Sequence, residues 1–410
     1  MTTETKCRSC GGEKLSLVLS LGQSPLANAL LTPAELSQKE ETFPLDLVFC
    51  ETCTLLQITE TVPPEKLFRE YLYFSSFSDT MVKHAEIIAN RLVDEEKLGA
   101  NSLAMEIASN DGYLLQHYKK RGVPVLGIEP ARNVAKVAET ERGIRTITEF
   151  FGRELARDLA AKGERADVLH AHNVLAHVAD LNGVIAGFRT VLKDRGVVVI
   201  EAPYAKDMID HCEFDTIYHE HLCYYSLTAL DALMDRHDLV VRDVERIDMH
   251  GGSLRVFVSR KESFERGPRV RAMLDEERAW GVHTFGFYKD FAAKVENLRK
   301  QLTKLLGDLK KAGRTVGAYG AAAKATTLMN FFGIGADTVA FIADRSTYKQ
   351  GRYVPGVRVP IVPPEELLAK KPDYCLLTTW NFAKEILAQQ SAYREAGGTF
   401  IVPIPDVRLV

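Results

Sequence analysis

At 410 residues, with 46% apolar and 26% charged side chains, the chain is long enough for two or three ordinary domains, each with a core of its own. Its 52 basic and 55 acidic residues leave a net charge of -3 with no lysine- or arginine-rich block, so electrostatics gives no case for nucleic acid. The apolar residues are dispersed rather than gathered into a membrane-length run, and Met1 to Lys6 reach Cys7 without a secretory core; a cytoplasmic, reducing location without disulfides is expected.

Residues 1–67 hold four of the seven cysteines, arranged as Cys7-x-x-Cys10 and Cys50-x-x-Cys53, with turn-forming Gly11-Gly12 and Pro63-Pro64 near the ends of the zone. Four thiolates suit a closed tetrahedral zinc site, because zinc accepts soft sulfur ligands without geometric preference. The competing reading, unrelated buried cysteines or a redox pair, requires two independent knuckles to fall in one small zone by accident. A fully thiolate site keeps no open coordination position, so the metal is assigned to folding. Cys212, Cys223 and Cys375 are read as packing residues.

A helix is expected after Phe68, with Ser75 to Ser78 as caps before the periodic Met81, Ile87, Ile88 and Leu92. Apolar strands follow at 103–108, 125–128, 168–171 and 197–202, alternating with helices, and predict a parallel, doubly wound sheet; a further strand is expected at 254–258. Residues 268–312 read as helical and stop at Lys310-Lys311-Ala312-Gly313. A second alternating unit has strands at 315–319, 339–343, 374–378 and 400–402 and a helical run through Ala321 to Phe332. The expected boundaries are 1–67, 68–262 and 263–410.

The first βα unit of the second zone, Glu106-Ile107-Ala108-Ser109-Asn110-Asp111-Gly112, is a strand running into a small-residue turn, which lets backbone approach a ligand closely. Glu129 ends the next strand, where a carboxylate can accept both ribose hydroxyls of an adenosyl group. Dehydrogenases share such an acid, but the turn lacks the three-glycine spacing that receives a pyrophosphate. The bland alternative for Glu129 is an exposed acid at a strand end.

Several longer stretches occur in one order: the turn at 106–112, Asn173-Val174-Leu175-Ala176-His177-Val178, Phe214-Asp215-Thr216-Ile217-Tyr218-His219-Glu220-His221, His250-Gly251-Gly252-Ser253-Leu254-Arg255, and Gly317-Ala318-Tyr319-Gly320-Ala321-Ala322-Ala323-Lys324. Together with the cysteine quartet they resemble the antibiotic-sugar C-methyltransferase family along essentially the whole chain. The resemblance implies an α/β protein: a small N-terminal zinc-binding domain, a class I methyltransferase (Rossmann-like) domain and a second Rossmann-like C-terminal domain. It implies S-adenosyl-L-methionine held by Glu106, Ala108, Ser109, Asn110, Gly112, Glu129 and Asn173, and structural zinc on Cys7, Cys10, Cys50 and Cys53. Ala108 departs from the glycine common there, a small change in side-chain size.

Methylating carbon requires a carbanion equivalent, which forms next to a ketone because the charge spreads onto oxygen; that calls for a base and an oxyanion donor. The resemblance implies Tyr218, Glu220 and His221 in the active site, with Tyr73 and His177 as polar contacts. His221 is expected to take the proton, Glu220 to orient the imidazole, and Tyr218 or His177 to stabilise the enolate oxygen. His219 and His221 could instead bind metal, although no third ligand is evident, and His250 either shapes the site or ends a strand. In the last unit Tyr319, Lys324, Arg345 and Asn381 are candidate contacts to a nucleotide-linked keto-sugar such as a dTDP-sugar; alternatively the alanine run only supports tight helix packing.

The expected activity is C-methylation of a nucleotide-linked 4-keto-deoxysugar at C3 by a protein with no nucleic-acid or membrane partner, compatible with a monomer. A nicotinamide-dependent sugar dehydrogenase or epimerase would need the three-glycine fingerprint that neither half shows. A zinc-ribbon nucleic-acid-binding protein would need a basic surface, whereas the cysteine zone carries Glu40, Glu41, Asp46 and Glu51.

Overall fold

The computed structural model describes residues 2–69, 74–249 and 251–410. Its first unit is built on strands β1 (Leu15–Pro25), β2 (Thr42–Cys50) and β3 (Leu56–Ile58), paired antiparallel. Leu45, Leu47 and Phe49 alternate along β2 and bury one face, as a half-covered sheet requires. The second cysteine knuckle forms the turn between β2 and β3. Within it Thr54 N–H donates to the Cys50 carbonyl and Cys50 N–H to the Leu55 carbonyl.

Helix α1 (Asp79–Glu95) starts where Ser78 accepts from Met81 N–H. Its buried stripe runs Met81, Ala85, Ile88, Leu92 at helical spacing, whereas Ile87, expected to belong to it, lies a third of a turn away and is exposed. Behind it the second sheet takes parallel strands β4 (Ala104–Ile107), β5 (Val125–Ile128), β6 (Thr146–Ile147), β7 (Ala166–His172) and β8 (Leu192–Pro203). The next strand, β9 (Cys223–Tyr224), leaves this sheet and pairs with β3, so it is the fourth strand of the zinc unit. β10 (Leu239–Ile247) and β11 (Ser253–Arg260) complete the larger sheet in the order β10-β11-β8-β7-β4-β5-β6, with β11 antiparallel to both neighbours. β10 went unread because a register shift between Val241 and Asp243 breaks its alternation and puts charged residues beside one another.

Helices α2 (Pro268–Trp280) and α3 (Phe291–Lys311) connect the halves. The buried Glu277 fastens α2 to the methyltransferase-like half: its carboxylate accepts Tyr204 O–H, Leu227 N–H and Thr228 N–H at 2.7–2.8 Å. The last sheet comprises β12 (Val316–Tyr319), β13 (Ile342–Ala343), β14 (Ile361–Val362), β15 (Tyr374–Leu377), β16 (Thr399–Val402) and the antiparallel β17 (Arg408–Leu409). Its order is β14-β13-β12-β15-β16-β17, so the strand order reverses between β12 and β15, the place where open α/β sheets receive ligands. Helix α4 (Ala323–Phe332) follows β12. Among the described residues no helix is long and apolar enough to cross a membrane.

Candidate active site

The four knuckle sulfurs lie within 4.8 Å of one another, with Cys7 to Cys53 at 3.4 Å and Cys10 to Cys50 at 3.6 Å. A tetrahedron of zinc–sulfur bonds has sulfur–sulfur edges of about 3.8 Å, so the donor set and its spacing fit the ion. Crowded sulfurs cannot all ionise on their own. Hydrogen bonding to Cys7 draws the Cys53 thiol down to about 5, while burial pushes Cys10 up to about 11. A divalent cation resolves that conflict by favouring every thiolate.

At the carboxyl end of β4, Ala108 and Asn110 both take left-handed backbone conformations (φ 52° and 50°), as does Gly112 (φ 79°). This supplies a second reason, besides size, for glycine at the Ala108 position: the left-handed turn itself costs an alanine about 1–2 kcal/mol. A Cβ on Gly112 would come within 2.5 Å of the Ile144 side chain. The buried Glu129 carboxylate accepts Asn110 N–H through one oxygen and Ala131 N–H through the other, both at 2.8 Å. Burial lifts it to about 7 despite those two bonds. A carboxylate has about four acceptor sites, so two remain for hydroxyl donors. Glu106 Oε2, Ser109 Oγ and Asp111 Oδ1 are buried around the turn without a hydrogen-bond partner, and burial raises the Glu106 carboxyl well above the ordinary range. Such orphaned acceptors beside a small-residue turn fit a polar ligand that supplies donors. Asn173 ends β7 in another left-handed conformation (φ 54°) on the same edge of the sheet.

The Tyr218 to His221 segment divides in two. His219 donates its Nε2 proton to the Pro44 carbonyl (3.0 Å) and packs edge-on against Phe43, so it docks the zinc unit. Glu220, expected to orient the imidazole, turns its carboxylate to the Asn28 amide (2.7 Å), also on the zinc unit. The imidazole of His221 is oriented instead by the Thr216 carbonyl, which takes its Nδ1 proton at 2.9 Å. A carbonyl can only accept, so in the neutral ring Nε2 carries the lone pair, and it receives the Tyr218 hydroxyl at 2.9 Å. The two rings lie 4.1 Å apart.

His177 stands beside them, its ring 4.8 Å from that of His221 and edge-on to Phe68. Its Nδ1 proton goes to the Glu220 main-chain carbonyl at 2.7 Å, and burial lowers its pKa to about 4. The ring is therefore neutral near pH 7 with an unprotonated Nε2. In that tautomer its Nε2 offers no proton to an oxyanion, whereas Tyr218 carries a hydroxyl that can. Tyr73 and His250 lie outside the described residues.

In the last sheet Tyr319 and Arg345 line a cleft of about 550 Å³ together with Gln350, Glu365 and Gln390. Lys324 lies elsewhere: its ammonium sits 4.5 Å above the Trp380 ring, and its charge counteracts the upward push of burial on Glu213 and Asp215. Asn381 is half-buried in the turn beside Trp380. Asp344, which the sequence reading missed, accepts Ala321 N–H (2.7 Å) and Ser346 N–H (2.8 Å). That repeats the Glu129 arrangement, one bond to the first βα turn and one to the residue two places on. The signal that found Glu129, an acid closing the second strand of an α/β unit, was present in Ala343-Asp344 as well.

Residues 248–405 match the family described as C-methyltransferase C-terminal domain, residues 84–244 the one described as Methyltransferase domain, and residues 7–68 a zinc binding domain. The C-methyltransferase NovU of Streptomyces niveus is 36% identical over 406 residues, which is 99% of this chain and 96% of that protein. The chain belongs to the C-methyltransferase family. A more distant relative, the ubiquinone biosynthesis O-methyltransferase of Bartonella quintana (strain Toulouse), is 29% identical over 24% of this chain and 40% of its own length. The crystal structure of magnesium protoporphyrin IX methyltransferase from Synechocystis PCC 6803 overlaps 43% of this chain and 79% of its own at 10% identity, with a TM-score of 0.33. The protein is an S-adenosylmethionine-dependent methyltransferase with structural zinc in its N-terminal domain.

Proposed function

We propose that this C-methyltransferase acts in the cytoplasm on a nucleotide-linked 4-keto-deoxysugar, methylating C3 through an enolate. The observation that carries the reading is the Tyr218–His221 pair. It sets an unprotonated Nε2 beside a phenol hydroxyl, and thus a proton acceptor beside an oxyanion donor. His221 Nε2 removes the proton at C3, the electron pair of that C–H bond moves toward the C4 carbonyl, and the Tyr218 hydroxyl turns to donate to the developing oxygen. His177, whose pKa burial lowers to about 4, serves as a polar wall. Bound S-adenosylmethionine supplies the electrophilic methyl group. Glu129 takes its ribose hydroxyls, and Glu106, Ser109, Asn110 and Asn173 line its site. The cleft of Tyr319 and Arg345 receives the nucleotide; this suits the strand-order reversal between β12 and β15.

Deprotonation is separable from methyl transfer. In heavy water, enzyme given a thymidine diphosphate-linked 4-keto-deoxysugar and S-adenosylhomocysteine is expected to exchange deuterium into C3. His221→Asn should keep S-adenosylhomocysteine binding and lose exchange and turnover by at least about a hundredfold. Full exchange in that variant would transfer the base role away from His221, and deuterium at a different ring carbon would overturn the C3 assignment.

A further inference from the structure

The zinc unit touches the Tyr218–His221 segment at several points, and one of them is Asn28. Residues 26–31 cross from β1 to the C-terminal half, with Leu26, Ala27 and Leu30 buried. The Ala27 carbonyl accepts Thr326 Oγ1–H at 2.8 Å, and Leu31 exchanges two main-chain hydrogen bonds with Tyr353, both 2.9 Å. Between these anchors Asn28 faces outward, and its amide donates to Glu220 Oε1 at 2.7 Å. Glu220 adjoins His221 in sequence, and its main-chain carbonyl holds His177. Among the described residues nothing donates to its second carboxyl oxygen.

We propose that Asn28 is an active-site positioning residue supplied by the zinc-binding domain: its amide fixes one oxygen of Glu220, so that the other accepts a hydrogen bond from a hydroxyl or amino substituent of the sugar. The proposal rests on reading the Tyr218–His221 pair as the reactive centre. An amide donor favours the ionised carboxylate, the form that accepts from such a substituent. Asn28 from the zinc unit donates to this carboxylate and Lys349 from the C-terminal half acts on it through its charge, while the main-chain carbonyl of Glu220 holds His177 of the methyltransferase half. Burial places its titration near pH 7, with Asn28 and Lys349 opposing the rise.

The test is the titration of Glu220 itself. In full-length, zinc-loaded protein labelled with carboxyl-13C glutamate, the Glu220 resonance is the one lost in Glu220→Gln. Asn28→Leu removes the donor and is expected to raise its midpoint by about one pH unit, matching the loss of a hydrogen bond to a charged group. Asn28→Asp sets a second carboxylate against the first and is expected to raise it further. Zinc content and S-adenosylhomocysteine affinity should stay at wild-type values in both variants. The acid limb of kcat/KM toward a thymidine diphosphate-linked 4-keto-deoxysugar should move with the midpoint, and should not respond to Asn28→Leu in a Glu220→Gln background. An unmoved midpoint in both variants overturns the contact, and a moved midpoint with an unmoved acid limb overturns the active-site role. Because the titration is recorded without substrate, its outcome is independent of the deuterium-exchange result for His221→Asn.

Discussion

Glu129 shows what one side chain reveals in sequence and what it hides. Its place at the end of the second strand was legible, because a parallel βα unit brings that position to the ligand edge. Its bonds to Asn110 and Ala131 were not, since they depend on how two turns meet. Glu129→Ala is expected to weaken S-adenosylhomocysteine binding by about 1.5–3 kcal/mol, roughly 10- to 150-fold by calorimetry. The sign of the pH dependence follows from the upward shift: the Glu129 carboxylate, proposed to accept ribose hydroxyls, is lost as pH falls through about 7. Wild-type affinity should therefore drop between pH 8 and pH 6, and Glu129→Gln should flatten that dependence. Unchanged affinity in the alanine variant would remove Glu129 from the adenosyl site. The division of Tyr218 to His221 illustrates the opposite limit. The sequence concentrates four polar side chains, and only the fold shows that Tyr218 and His221 pair with each other while His219 and Glu220 turn to the zinc unit.

Among the elements, strands with uniform apolar runs were legible, and β5 falls at the expected residues, because a strand buried on both faces reads as a continuous apolar run. β1 and β10 were missed because bulges disturb their alternation. β11 was placed, but the purpose of its Arg255 was not. The Arg255 guanidinium donates to Glu201 Oε1 on β8 at 2.7 Å and to Glu245 on β10 at 3.3 Å, while His84 of α1 bonds the same Glu201 carboxylate. Arg255 thus neutralises a buried acid at the centre of the sheet. Arg255→Leu leaves the buried Glu201 with only His84 and His172 beside it and no permanent positive charge, and is expected to cost about 3–5 kcal/mol, read as a lower urea midpoint. Pairing it with Glu201→Leu should recover much of that loss; if the single variant unfolds like wild type, the pair is not what holds β8 to β11.

Across the whole molecule, the two cysteine knuckles announced a metal from spacing alone, and the match of thiolate chemistry to zinc needs no tertiary information. Their reach into the reactive centre was illegible, because it runs through β9, a two-residue strand without a pattern of its own. The knuckle Cys50 to Cys53 turns β2 into β3, β3 pairs with β9, and β9 begins two residues after His221. Cys50→Ser is accordingly expected to lower kcat by tenfold or more while leaving S-adenosylhomocysteine affinity near wild type, since the adenosyl turn lies on a different sheet. Methylation assays and calorimetry on the same preparation separate the two. Wild-type kcat in protein shown to have lost its zinc would dissociate the metal from the reactive loop.

The pairing of β9 with β3 also imposes an order on biosynthesis. When the cysteine zone leaves the ribosome its sheet has three strands, and the outer edge of β3 carries unpaired amide and carbonyl groups until the chain has been made past Tyr224. Zinc captured early would hold the β2–β3 turn closed through that interval, while the outer edge of β3 stays bare until β9 has been made. The segment that covers this edge is thus supplied by the methyltransferase half and not by the cysteine zone itself, which leaves the edge open to pairing with neighbouring chains in the meantime.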